Sequence, residues 1–172
     1  MSGATKKGSG GTLIVGGSQA GLQLAVSLRR LGDTAPIVLI GEEPHPPYQR
    51  PPLSKEFLAG EAGLDSLPLR TPAFYADSGI DLVCGERVSR LTLSPTGPPG
   101  SGVAETAAGR ELPFDRLALT VGASVRRLPV PGADLDGICF LRDRDDAVTL
   151  QARLRSAART VVIGGGFIGR VR

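Results

Sequence analysis

Tryptophan is absent from the 172 residues, and aromatic side chains make up only 4% of them. The core must therefore be aliphatic, and a hydrophobic content of 41% is enough to fill one of this size. There are only two cysteines, Cys84 and Cys139, far apart and outside any CxxC motif. That excludes a disulfide scaffold and fits reduced thiols in a cytoplasmic protein. No apolar run approaches the ~20 residues needed to cross a bilayer, so no membrane segment is expected. The opening MSGATKKGSGG has lysines but no apolar stretch behind them, unlike a secretory signal. With one histidine and no acids or cysteines at ligand spacing, no metal centre is expected. Basic residues number 20 against 17 acids, and the acids interleave with the arginines almost throughout. This leaves no basic stripe able to follow a phosphate backbone, which argues against nucleic-acid binding.

Glycine and proline, at 24 and 14 residues, punctuate short apolar runs. Thr12–Val15 fits a buried strand. It leads into Gly16-Gly-Ser-Gln-Ala-Gly21 and a helical pattern with Gly21, Leu24, Ala25, Leu28 and Leu31 on one face. Gln23, Ser27, Arg29 and Arg30 fall on the other face, and Gly32 is placed to end the helix. A second buried strand at 37–40 completes a βαβ unit and implies parallel pairing. The proline-rich loop at 44–54 is stiff and extended. Short helices are expected at 54–59 and from Thr71, and a strand at 79–83. Between 86 and 122 the period becomes two, through Val88, Leu91, Leu93 and Val103, then back along 114–120, which predicts a small antiparallel meander. The spacing predicts another helix over 143–157, with acids in its first turn and arginines in its last two. A strand at 160–163 then precedes Gly164-Gly-Gly-Phe-Ile-Gly169.

The first glycine cluster follows a strand and opens a helix, the setting in which such a motif gains meaning. Gly16 permits the tight turn, Gly21 permits close helix–sheet packing, and the free N–H groups at the helix start can face a pyrophosphate. Ser18 occupies the middle position, where its hydroxyl could donate to a phosphate oxygen. Glu42 lies 21 residues after Gly21, at the end of the second strand, where a carboxylate can accept both hydroxyls of an adenosine ribose. A ligand-free glycine-rich turn is the plain alternative. The second cluster, with Gly164, Gly166 and Gly169, also follows a strand. Two such fingerprints in one chain suggest two dinucleotides and electron traffic between them.

The stretches VGGSQAG, PPYQRPPLSKEFL, LTVGASVRRLPVPGADLDG and VVIGGGFIG resemble an N-terminal fragment of the FAD-dependent pyridine nucleotide-disulfide oxidoreductase superfamily, of the ferredoxin and rubredoxin reductase type. The RPPLSK stretch is similar in apoptosis-inducing flavoproteins. The resemblance implies an α/β fold: a three-layer, Rossmann-like FAD/NAD(P)-binding domain with a small antiparallel β-meander, truncated at the start of a second nucleotide-binding domain. Residues 1–11 would be a flexible leader, 12–128 the first segment of the FAD domain, and 129–172 a crossover and the incomplete beginning of the NAD(P) domain.

By the same resemblance, Gly16, Gly17, Ser18, Ala20 and Gly21 would hold the FAD pyrophosphate and Glu42 the adenosine ribose. Arg50 and Lys55 would contact the flavin half, with Lys55 as the catalytic cation beside the ring. Val83 would cover the adenine, and Thr120, Gly122 and Arg126 or Arg127 would border FAD. Gly164, Gly166 and Gly169 would serve NAD(P)H. Electrons would pass from NAD(P)H through flavin to a ferredoxin- or rubredoxin-type iron–sulfur protein. RPPLSKEF has no cysteine, which argues against a disulfide reductase. Cys84 and Cys139 are expected to fill core space and His45 to be solvated. Only three residues follow Gly169, so the expectation is an FAD half-site without a working nicotinamide site. The alternatives are a non-catalytic FAD- or adenine-nucleotide-binding remnant and a fragment of an apoptosis-inducing-factor-like flavoprotein.

Overall fold

Alternation along the first strand divides the architecture into layers. In β1 (Thr12–Val15), Leu13 and Val15 point to one side of the sheet and Thr12 and Ile14 to the other. The computed structural model describes residues 10–164. They divide into two compact units, one of residues up to 48 with 69–122, the other of 49–68 with 123 onward.

In the first unit, β1 pairs in parallel with β2 (Ile37–Gly41) on one side and β7 (Arg116–Leu119) on the other. Strand β3 (Ile80–Cys84) pairs with β2, giving a parallel sheet of order β3-β2-β1-β7. Helix α1 (Gln19–Arg30) and short helix α2 (Pro72–Asp77) cover one face, where Ile14, Leu22, Ala25, Leu39, Tyr75 and Ile80 form one core cluster. Strands β4 (Val88–Leu93), β5 (Gly102–Thr106) and β6 (Glu111–Phe114) form an antiparallel sheet. From it, Ala104, Leu112 and Phe114 pack with Leu13, Ile40 and Val83 in a second core cluster. Helices, parallel sheet and antiparallel sheet make the three layers that the resemblance implies.

Several local expectations need correction. The segment 114–120 does not stay in the meander, because Arg116–Leu119 leaves it to become the edge partner of β1. Leu31 is 84% exposed. It is the C-cap of α1, with the Asp33 amide on the Leu28 carbonyl and the Gly32 amide on that of Arg29, a Schellman closure that turns Leu31 outward. Leu91 and Leu93 are also exposed, since β4 buries little of either face. Arg29, assigned to the solvent face, instead clamps carbonyls. Its Nη1 donates to Asp33 and Ala35 at 2.7 Å each, its Nε to Ser78 at 3.0 Å and its Nη2 to Gly79 at 2.5 Å. His45 is half-buried.

In the second unit, residues 51–54 form a 3₁₀ turn and Leu53, Phe57 and Leu67 are buried. The helix expected at 54–59 is a succession of turns. The Lys55 and Phe57 amides both bond to the Pro52 carbonyl, and Lys55 departs from helical geometry with ψ −108°. Helix α3 (Arg144–Ser156) has a capping box between Asp143 and Asp146 and rests on the 51–54 turn. Gln151 donates to the Phe57 carbonyl at 2.6 Å. Residues 160–163 pair with no strand, and Val161 and Ile163 are 84% and 83% exposed. An apolar run becomes a strand only where a partner supplies the ladder, and the described residues supply none.

Two stability predictions follow from this packing. The Tyr75 hydroxyl is buried without a hydrogen-bond partner, and burial pushes its phenol up to about 12, with neighbouring Cys84 adding to the shift. Tyr75→Phe is expected to raise stability by about 1 kcal/mol, read by urea titration. It should also blunt alkaline destabilisation. The neutral phenol's contribution is whole below the ordinary tyrosine value and is lost as pH rises through it toward the folded one. Asp33 ties the end of α1 to β7: it accepts the Ala35 amide at 2.9 Å and Arg116 Nη2 at 2.6 Å, and these contacts hold its carboxyl below the usual range. Asp33→Asn should lower the melting midpoint at pH 7, with the gap closing as pH falls through the depressed carboxyl value.

Candidate functional site

β1 lies between β2 and β7, and the chain leaves it toward β2 by way of α1, whereas β7 is reached only after the meander. Connections therefore diverge at the carboxyl end of β1, the place in an open parallel sheet where a crevice forms. The glycine turn sits there. Gly16 has φ +120°, and a Cβ on it would lie 2.3 Å from the Thr120 carbonyl oxygen. A Cβ on Gly21 would meet the Gly16 carbonyl at 2.4 Å, so both positions require glycine. Gly17 faces Gly41 at the end of β2, where a Cβ on Gly41 would come within 3.0 Å of Gly17.

Thr120, just past β7, fastens this turn. Its amide donates to the Val15 carbonyl at 2.8 Å, and its hydroxyl lies 3.0 Å from the Gly16 carbonyl and 3.2 Å from that of Val15. Ser18 is the N-cap of α1. Its Oγ accepts the Gly21 amide at 3.2 Å and donates to the Thr120 carbonyl at 3.1 Å. The Ser18 hydroxyl is thus engaged with the protein backbone on both sides. Leu22 bonds the Ser18 carbonyl, which leaves the first-turn amides of Gln19 and Ala20 at the open end of the helix. No acidic residue stands in the first turn of α1, whereas Asp145 and Asp146 occupy that of α3. The first turn of α1 thus supplies no acid of its own to offset the positive end of its dipole.

Glu42 directly follows β2 with its side chain 68% exposed, and Arg87 Nη1 lies 3.7 Å from its Oε1. Gly16, Gly17, Ser18, Ala20, Gly21, Thr120 and Gly122 all belong to this first unit, and Gly122 has φ +67°. Val83 is in the same unit, but its side chain is 9% exposed within the second core cluster. Arg50, Lys55, Arg126 and Arg127 belong to the second unit. There the Arg50 Nη1 donates to the Arg142 carbonyl at 2.8 Å, Lys55 is exposed, and Arg126 is exposed in a stretch outside helix and strand. Arg127 lies over the Phe140 ring at 5.2 Å. Gly164 has φ +112°, close to that of Gly16, while Gly166 and Gly169 lie outside the described residues. Cys84 and Cys139 are free and half-buried, and burial pushes the Cys84 thiol up. Among the described residues, no helix is long and apolar enough to cross a membrane. Sequence reasoning missed Arg87 and the Gly17–Gly41 approach, for which linear spacing gives no signal.

A family model described as pyridine nucleotide-disulphide oxidoreductase matches residues 11–171. Rhodocoxin reductase from Rhodococcus erythropolis is 41% identical over 91% of this chain and 35% of its own length. Rubredoxin-NAD(+) reductase from Pseudomonas putida is 38% identical over 91% of this chain and 39% of its own. A crystal structure of a ferredoxin reductase from Rhodopseudomonas palustris superposes with a TM-score of 0.84 at 37% identity, covering 94% of this chain and 38% of that one. The covalent putidaredoxin reductase–putidaredoxin complex is similar at a TM-score of 0.70 and 34% identity, covering 84% of this chain and 34% of that chain. The chain therefore spans well under half the length of the relatives it matches. With the family pattern covering nearly all of it and the glycine turn built as described, the chain belongs to the pyridine nucleotide-disulphide oxidoreductase family.

Proposed function

We propose that this chain forms the FAD-binding portion of an oxidoreductase that passes electrons from NAD(P)H through flavin to a ferredoxin- or rubredoxin-type iron–sulfur protein. The observation that carries this reading is the open N-terminus of α1 at the end of β1, with no acid in its first turn and no Cβ on the turn glycines. Such an end attracts an anion, and the bare glycines leave room for a pyrophosphate. Glu42 is exposed one residue beyond β2, with acceptor oxygens for ribose hydroxyls. The residues present thus fit the adenosine diphosphate part of FAD. The reductase names of the relatives and of the neighbouring structures support the electron-transfer role.

When bound, FAD supplies an acceptor for two electrons that can be released singly. The protein's part is binding and orientation. The Gln19 and Ala20 amides face the pyrophosphate, Ser18 and Thr120 keep the turn in shape, and Glu42 holds the ribose. Lys55, with Arg50 and Arg126, is assigned to the flavin half, where a cation stabilises negative charge. Gly164, Gly166 and Gly169 are assigned to the nicotinamide nucleotide, and the positive φ shared by Gly164 and Gly16 supports this. Residues 12–128 would then be the first FAD segment and 129–172 the crossover and start of the NAD(P) domain. Free, half-buried cysteines are consistent with a cytoplasmic setting.

The purified chain is expected to show flavin absorption near ~370 and ~450 nm and to release FAD on acid treatment. A folded, colourless chain that takes up no added FAD would overturn the reading. Glu42→Gln should weaken FAD binding about ten-fold in a fluorescence titration, because it removes a charged acceptor from the ribose hydroxyls.

A further inference from the structure

Glu42 has a neighbour that the fingerprint does not include. Backbone bonds lace the turn after β3 to the end of β2: the Gly85 amide bonds the Glu43 carbonyl at 2.9 Å and the Glu86 amide bonds that of Gly41 at 3.0 Å. The Arg87 carbonyl accepts the Ala107 amide at 2.8 Å, and the Glu86 side chain is engaged by Arg110 Nη1 at 2.9 Å. Residue 87 is thus anchored on both sides, and its side chain reaches Glu42. The pair is open to solvent, at 70% exposure for Arg87 and 68% for Glu42, so fold stability gains little from it.

The separation is informative. At 3.7 Å the guanidinium attracts the carboxylate, yet it lies beyond ordinary hydrogen-bond length and does not saturate the carboxylate's acceptor positions. We propose that Arg87 is a positioning residue for the adenosine end of the site, holding the Glu42 carboxylate in place by charge while leaving its oxygens to the ribose hydroxyls. The inference rests on the reading that FAD binds with its ribose at Glu42. It adds a residue from the β3–β4 turn to a site otherwise built from β1, α1 and β2.

The test is a double-mutant cycle on the full chain, with FAD affinity measured by fluorescence titration in low and high salt. Arg87→Ala is expected to weaken FAD binding about three- to five-fold in low salt, with a smaller effect in high salt. Arg87→Lys should keep most of the affinity. In a Glu42→Gln background Arg87→Ala should change nothing further, and every variant should melt with the parent. An Arg87→Ala affinity equal to the parent's overturns the inference while leaving FAD binding intact. An equal loss in both backgrounds also overturns it, because Arg87 would then act on the ligand directly. A parent chain that binds no FAD defeats the underlying reading instead.

Discussion

The turn between β1 and α1 depends on a residue about a hundred positions downstream. Thr120 engages the Val15 carbonyl with its amide, the Gly16 carbonyl with its hydroxyl and the Ser18 hydroxyl with its own carbonyl. Such contacts require the backbone of the turn to press against Thr120, and only a missing Cβ at Gly16 and Gly21 allows that approach. The shape of the turn therefore depends on β7 lying beside β1. A long-range contact thus fixes a local motif, and protein contacts hold the start of the helix.

That dependence explains why the layers are filled as they are. The two core clusters sit on opposite faces of the parallel sheet, and alternate residues of β1 and β2 feed each. Both faces are packed by side chains. What stays open is the carboxyl edge of the sheet, where β1 ends in glycines and β2 ends in Gly41 followed by Glu42. Strand alternation buries the two faces, and the glycines that end β1 and β2 leave the carboxyl end uncrowded.

The parts of this design visible in the sequence are those set by near neighbours. The period of α1, the stop at Gly32, the β1 and β2 runs and the acids opening α3 all depend on residues within a few positions. They reappear as α1, its Schellman closure, the paired strands and the Asp143 capping box. Ser18 shows the limit of such reading. Its hydroxyl lies 3.1 Å from the carbonyl of Thr120, a partner that no local pattern brings close. Arg29 is similar: its helical position faces outward, yet carbonyls on two separate segments draw its guanidinium inward. The apolar run at 160–163 fails for the converse reason. Its local pattern is a strand, and pairing belongs to a partner that the described residues lack.

The contrast between the two long helices carries the functional argument furthest. Both begin with a side-chain cap, so both satisfy part of their open backbone. Helix α3 adds Asp145 and Asp146, and the Asp146 carboxylate also accepts the Arg142 amide. Its positive end is neutralised from within the protein, as expected of a helix that only packs. Helix α1 has a neutral serine cap, no acid in the first turn and glycines where side chains would crowd its approach. Stability alone would favour an acid there, by roughly 0.3–1 kcal/mol. An acid in that turn would also repel a phosphate, so its absence is what an anion-binding end requires.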